Sequence, residues 1–134
     1  MSTIYDGGCQ CGAVRYRATG APLLSCICHC AMCRRAHAAP SVAWAAFEQS
    51  RVSFRGSPKV YASSAEAQRS FCADCGTPIG FTAAYMPGLI DIAIGSLDAP
   101  QELPPQLHCW HARHLAWAEY ADNLPRYSEF PPHD

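Results

Sequence analysis

Nine cysteines fall in close-set groups along this chain of 134 residues, and their spacing limits the folds open to it more than any other feature. Cys9-x-Cys11 and Cys72-x-x-Cys75 are each followed at once by a glycine, Gly12 and Gly76, which permits the tight, left-handed backbone of a metal-binding turn. In extended backbone, residues i and i+2 point to one face, so Cys9 and Cys11 can address the same ion. The spacing of Cys72 and Cys75 turns both sulfurs inward. Neither pair completes a tetrahedral zinc site alone, whereas together they form a closed set of four thiolates. Such a site would tie the N-terminal strands to the centre of the chain and add several kcal/mol to folding. A redox dithiol at Cys72 and Cys75 is the competing reading, but it wants a strand–helix context that Gly76-Thr77-Pro78 does not supply.

The remaining thiols centre on Cys28-His29-Cys30-Ala31-Met32-Cys33-Arg34-Arg35, where three cysteines in six residues precede two fixed positive charges. Thiols at these separations can converge on one Zn²⁺, and a zinc held by three protein ligands keeps a position for water or substrate, as catalytic sites do. Cys26, Cys109, His29 and His37 are each available to close the site as a fourth ligand. Thiolates at Cys26, Cys28 and Cys30 along one strand would span about 13 Å, too far for one ion without a sharp bend. An open site on Cys28, Cys30 and Cys33, curled into a turn, is therefore expected. Arg34 and Arg35 would offset its charge and offer a guanidinium to a substrate carboxylate. An incoming small thiol would be captured there as thiolate, for attack on, or release from, an electrophilic carbon. His108, His111 and His114 are spaced three apart, which aligns them only on a helix. Surface or aromatic-packing roles suit them better, with one available as acid or base near the metal.

Around these groups the pattern is all-β. Residues 3 to 19 read as two strands joined by a turn, with Val14, Tyr16 and Ala18 alternating against Arg15 and Arg17. Leu23–Cys28, Ser41–Phe47, Arg51–Arg55, Lys59–Ala62, Gln68–Cys72, Ile79–Ala83 and Leu89–Ile94 are further short apolar or alternating runs bounded by glycine, proline and serine. The central cysteine cluster has room for one helical turn at most, and only Ser64 to Ala67 hints at another helix. From Asp98 on, recurring prolines predict a wrap of turns and short extended pieces anchored by Leu107, Trp110, Leu115, Trp117, Tyr120 and Tyr127, with Trp110 and Trp117 in the core or a pocket wall. Pro131 to Asp134 should fray. The length suits a single domain over 1–134. Ten basic against eleven acidic side chains give a net charge of −1, which lacks the footprint of a nucleic-acid binder. No stretch is long and apolar enough to span a membrane, and Met1 to Gly8 lack a secretory pattern. The odd number of closely spaced cysteines fits metal ligation in a reducing, cytoplasmic compartment.

Three ordered motifs carry a resemblance. Gly8-Cys-x-Cys-Gly-x-Val-Arg-Tyr16, Cys28-His-Cys-x-x-Cys-Arg-Arg35 and Arg69-x-Phe-Cys-x-x-Cys-Gly76 resemble the family of glutathione-dependent formaldehyde-activating enzymes, which also includes centromere protein V. Gly95-Ser-Leu-Asp98 and Trp117 to Pro125 are similar to it more weakly. The resemblance implies a zinc-bearing fold of the β-tent type, with a structural zinc on Cys9, Cys11, Cys72 and Cys75 and a catalytic zinc on Cys28, Cys30 and Cys33. It also implies carbon–sulfur lyase chemistry on an adduct of glutathione with formaldehyde or a similar electrophile. A non-enzymatic zinc module that mediates protein interactions is the alternative.

Overall fold

Val14, Tyr16 and Ala18 are buried while Arg17 between them is exposed, as a strand with one inward face requires. In the computed structural model, which describes residues 3–132, this strand is β2 (Arg15–Thr19). It pairs antiparallel with β1 (Ile4–Gly8) on one side and β5 (Val52–Arg55) on the other, making a three-stranded sheet. A larger sheet holds β3 (Leu24–Cys28), β4 (Val42–Glu48), β6 (Lys59–Ala62), β7 (Ala67–Phe71), β8 (Pro78–Ala83), β9 (Leu89–Ala93) and β10 (Leu107–Cys109). Its strand order is β10-β3-β4-β9-β8-β7-β6, and every pair is antiparallel except β10 with β3, where Cys109 lies opposite Cys28.

Register decides what each face of the larger sheet carries. Cys26 and Cys28 stand opposite Trp44 and Val42, and the row Ala46, Asp91, Phe81, Arg69 crosses β4, β9, β8 and β7. These residues share one face, while Ile27, Ala45, Phe47, Ile90 and Ile92 share the other. The second face packs on Tyr16 and Ala18 of the smaller sheet, and the core between the sheets buries Phe47, Ile79 and Ile92 almost completely. The first face carries a separate core of Trp44, Phe81, Leu107, Cys28 and Cys109. Cys33 of α1 (Ala31–His37), the single α-helix among the described residues, packs onto it, as do Met86 and, from the C-terminal wrap, Trp110 and Tyr127.

The all-β architecture of short strands with a proline-rich wrap is as expected, and four local features are not. Helix α1 runs for seven residues rather than one turn, because both ends are capped. Cys30 Sγ accepts the Cys33 N–H at 3.3 Å, and Ala38, in left-handed conformation, donates to the carbonyls of Arg34 and Arg35. Ser64 to Ala67 is no helix: its backbone closes the hairpin between β6 and β7, with Ser63 N–H bonded to the Ala67 carbonyl. Trp117 is 77% exposed and belongs to neither core nor pocket wall, since it sits in a turn closed locally by Ala118 on Leu115. Tyr120 is exposed at 40% but bonds through its hydroxyl to Ser41. The expected fraying of Pro131 to Asp134 falls in part, at His133 and Asp134, outside the described residues. Among the described residues no helix is long and apolar enough to cross a membrane.

Gly7 of β1 lies under the Tyr16 ring, whose hydroxyl bonds Ser96 Oγ at 2.6 Å. A methyl group there would collide with the hydroxyl and stand 2.6 Å from the Ser96 carbonyl oxygen. Gly7→Ala should lower stability by about 1–3 kcal/mol, the usual cost of overpacking, seen as a lower denaturant midpoint. Gly95→Ala, whose methyl group would meet nothing within 4 Å, should leave the midpoint almost unchanged.

Candidate metal centres

At the edge of the core between the sheets, the sulfurs of Cys9, Cys11, Cys72 and Cys75 lie within 4.8 Å of one another. Cys11 is 61 positions from Cys72 in sequence, yet their sulfurs are 3.7 Å apart, and Cys9 Sγ is 3.6 Å from Cys11 Sγ. Each pair is followed by its glycine at positive φ, 85° at Gly12 and 81° at Gly76, so the turn chemistry expected from the spacing is present. Backbone donors face the sulfurs: Val14 N–H reaches Cys9 Sγ at 3.2 Å and Cys75 N–H reaches Cys72 Sγ at 3.5 Å. The Val14 hydrogen bond holds the Cys9 thiol below its ordinary range, and hydrogen bonding to Thr77 draws Cys75 down to about 5. Four convergent soft donors, two of them ready to ionise, suit a closed zinc site.

The second group lies on the opposite face of the larger sheet. Cys28 ends β3, Cys30 caps α1 and Cys33 sits inside its first turn; this strand-to-helix corner brings the three sulfurs within 4.8 Å of one another. Hydrogen bonds from the Cys28 and Cys33 thiols push Cys30 down to about 2. Cys28 is pushed up, chiefly by Cys109, and Cys33 is pushed up by Cys28 and Cys30. Of the three, Cys30 is the thiol most ready to ionise, and a divalent cation would favour the thiolate form of all of them. None of Cys26, Cys109, His29 and His37 joins this group. Cys26 Sγ lies 3.6 Å from Cys109 Sγ, His29 is turned toward His108, and His37 packs edge-on against Trp44.

The guanidinium that reaches these thiols belongs to Arg69. Its Nη2 donates to Cys33 Sγ at 3.6 Å, its carbon sits 4.8 Å from the centre of the Phe81 ring, and its Nη1 is buried without a partner. Burial raises Asp91 to about 6 against the pull of Arg69. Tyr85 also faces the cluster: burial raises its hydroxyl, and negative charge on Asp91, Cys33, Cys30 and Cys28 raises it further. Arg34 and Arg35 occupy the last turn of α1, where they meet the negative end of the helix, and among the described residues neither forms an ion pair. Sequence reading passes over Arg69 because its motif draws attention to the cysteines. The available signal was a lone basic residue three positions before a Cys-x-x-Cys, in an otherwise uncharged strand.

A third group, His111, His114 and Glu119, also brings donor atoms within 4.8 Å of one another. His108 is separate from it, wholly buried on β10 and bonded to His29 and Asp122.

The family described as glutathione-dependent formaldehyde-activating enzyme matches residues 4–113, from β1 past β10. A protein of Schizosaccharomyces pombe named "Uncharacterized lyase C29B12.13" is 40% identical over 85 residues, or 63% of this chain and 60% of that protein, so the chain spans less than two thirds of this relative's length. A crystal structure of a Rhodobacter sphaeroides protein superposes with a TM-score of 0.55 over 73% of this chain and 94% of the other; at 23% identity this is a likeness of fold.

Two measurements check the geometry. Cys75→Ser should cost more stability than Cys33→Ala, by about 2 kcal/mol or more in thermal or chemical melts, because it breaches a closed site at the main core. The reverse order would exchange the two roles. Asp91 binds its proton more tightly in the folded state, so its contribution is fully present below the ordinary carboxyl value of 3.8 and lost as the pH rises through about 6. Asp91→Asn should flatten that fall by about 1–3 kcal/mol in denaturation curves taken from pH 4 to 7.

Proposed function

Because this chain belongs to the glutathione-dependent formaldehyde-activating enzyme family, we propose that it is a carbon–sulfur lyase-type enzyme acting on an adduct of glutathione, or another small thiol, with an aldehyde. The observation that carries this reading is the convergence of the Cys28, Cys30 and Cys33 sulfurs, with Cys26 turned to Cys109 and a buried, unpartnered guanidinium nitrogen beside them. Both donor sets fit zinc: Cys9, Cys11, Cys72 and Cys75 would hold a structural ion, and Cys28, Cys30 and Cys33 a catalytic one able to take up a further thiol as thiolate.

The remaining roles fall to the chain's own side chains. In the synthase direction the thiol sulfur bonds to the aldehyde carbon, and the proton the thiol gives up ends on the aldehyde oxygen. In the lyase direction the same bond breaks and the proton returns to sulfur. Arg69, fixed as a cation, favours thiolate over thiol next to Cys33, and its free Nη1 can accept an anionic partner. Met86, Trp110 and Tyr127 pack around the cysteine core and limit water there. Arg34 and Arg35 supply cations at the rim for the carboxylates of glutathione. The nine free thiols suit a cytoplasmic setting, and the net charge of −1 argues against nucleic acid as a partner.

Exchange spectroscopy on mixtures of glutathione and formaldehyde tests the activity. Wild type should accelerate formation and cleavage of the adduct over the protein-free rate, and Cys33→Ala and Arg69→Met should each lose about tenfold or more, since each removes a group from the reacting site. No acceleration with glutathione or any small thiol, in protein that has bound its metal, would leave a zinc module without this activity. Replacing Arg34 and Arg35 with alanine should weaken glutathione binding about two- to fivefold, the scale of exposed ion pairs, while sparing a small neutral thiol. Equal losses in titration calorimetry would remove these arginines from the substrate site.

A further inference from the structure

Three histidines spaced three apart remain outside the thiol chemistry, and the backbone gives two of them a shared direction. After β10 the chain reverses at Trp110, left-handed at φ 54°, and enters a 3₁₀ turn at His111–Arg113. Three residues per turn eclipse positions i and i+3. The rings of His111 and His114 accordingly stack, with centroids 3.9 Å apart and planes 9° from parallel. Glu119 then folds back so that its carboxylate faces both rings, with Oε2 3.1 Å from His114 Nε2 and Oε1 3.7 Å from His111 Nε2.

We propose that His111, His114 and Glu119 form a third metal site, free of thiols, that takes a borderline divalent transition ion such as Zn²⁺. His114 Nδ1 lies 2.7 Å from the His111 carbonyl oxygen and must donate to it, so in the neutral ring Nε2, which faces Glu119, is the nitrogen with the lone pair. One carboxylate addresses both stacked rings, and a single cation among the three donors satisfies all of them. Burial and the neighbouring His114 also keep His111 toward its neutral, ligating form. The competing cation is Arg126, whose Nε is 3.9 Å from Glu119 Oε1. Its guanidinium is already committed elsewhere, Nη1 to Asp122 Oδ1 and the Leu124 carbonyl and Nη2 to the Tyr120 carbonyl.

Two imidazoles and one carboxylate select zinc or its neighbours over Mg²⁺ or Ca²⁺, which prefer all-oxygen sets. The site is distinct from the cysteine trio. Cys28 and Cys109 are paired on one face of the β3–β10 edge, whereas His29 and His108 follow on the alternate positions and stack on the other. The His29 ring stands edge-on to His111 at 5.1 Å and fixes its plane from the buried side. Bound metal would add a tie between the segment carrying Glu119 and the 3₁₀ turn after β10.

Imidazole ¹⁵N spectra read the site directly. Zn²⁺ is added to protein whose two cysteine groups are already filled with zinc, as judged by protection of their seven thiols from a thiol reagent. One further equivalent should shift Nε2 of both His111 and His114, and an equal amount of Mg²⁺ should not. Glu119→Gln, a change at an exposed carboxylate that leaves the fold intact, should weaken that step at least about tenfold, the loss typical of even an outer-shell change at a metal site. His114→Ala should lower the zinc count by one per chain in elemental analysis, while the thiols remain protected. Nitrogen resonances that follow pH but ignore zinc would make the cluster a histidine–glutamate ion pair and overturn the proposal. Unchanged zinc affinity in Glu119→Gln would overturn it as well.

Discussion

Everything in this protein depends on the register of the larger sheet, because a strand has only two faces and each here has different work. One face closes the main core on the smaller sheet, and the other carries the cysteine trio. A slip of β3 by one residue would turn Cys28 into the space between the sheets and put Ile27 in its place, and every residue of the strand would exchange surroundings. Pairing on both sides of β3, antiparallel with β4 and parallel with β10, resists that slip. The parallel pair needs a long connection, and the C-terminal wrap supplies the returning strand. The proline-rich third of the chain is thus part of the site's architecture, since it delivers Cys109 beside Cys28 and Trp110 and Tyr127 over the cysteine core.

The two cysteine groups differ in what their surroundings do to charge. At Cys9, Cys11, Cys72 and Cys75 the stabilising donors are backbone N–H groups and Thr77, which are neutral and fixed by the turns themselves. At Cys28, Cys30 and Cys33 backbone N–H groups also face a sulfur, but a charged donor is added, the guanidinium that reaches Cys33 from β7 near Asp91 on β9. Neutral donors and a full complement of four sulfurs suit a site that holds its ion and does nothing else. A trio of sulfurs beside a cation would, under the proposed function, suit an ion that takes up a further ligand.

Much of this was legible in the sequence, for identifiable reasons. Short strands with alternating burial announce themselves at Val14, Tyr16 and Ala18, and the pairing of distant cysteines follows from spacing because zinc demands four donors. Helix α1 was underestimated because its caps are unusual, a cysteine at one end and a left-handed alanine at the other, neither of which reads as a helix boundary. Trp117 misled through its composition: an aromatic residue in a locally closed turn need not reach the core. Arg69 and the stacking of His111 on His114 depend on register and on a 3₁₀ turn, both set by tertiary pairing that no local pattern reports.

The separation of Cys26 from the trio follows from the same geometry. Cys26 and Cys28 share a face of β3 and are held about 7 Å apart by the regular rise of the strand, whereas Cys9 and Cys11, which follow β1 in a turn, bring their sulfurs to 3.6 Å. Cys30 and Cys33 escape that constraint because the chain leaves the strand after Cys28 and coils into α1, bringing both sulfurs back over the strand end. Cys26 is left facing sideways, and the neighbour within its reach is Cys109 on β10, which lies diagonally across the parallel pair. Cys109 therefore serves both to occupy Cys26 and to crowd Cys28 from the side away from Arg69, raising the Cys28 thiol while the guanidinium holds the Cys33 side. The strand edge thus turns Cys26 to Cys109 and leaves Cys28, Cys30 and Cys33 as the three sulfurs that converge.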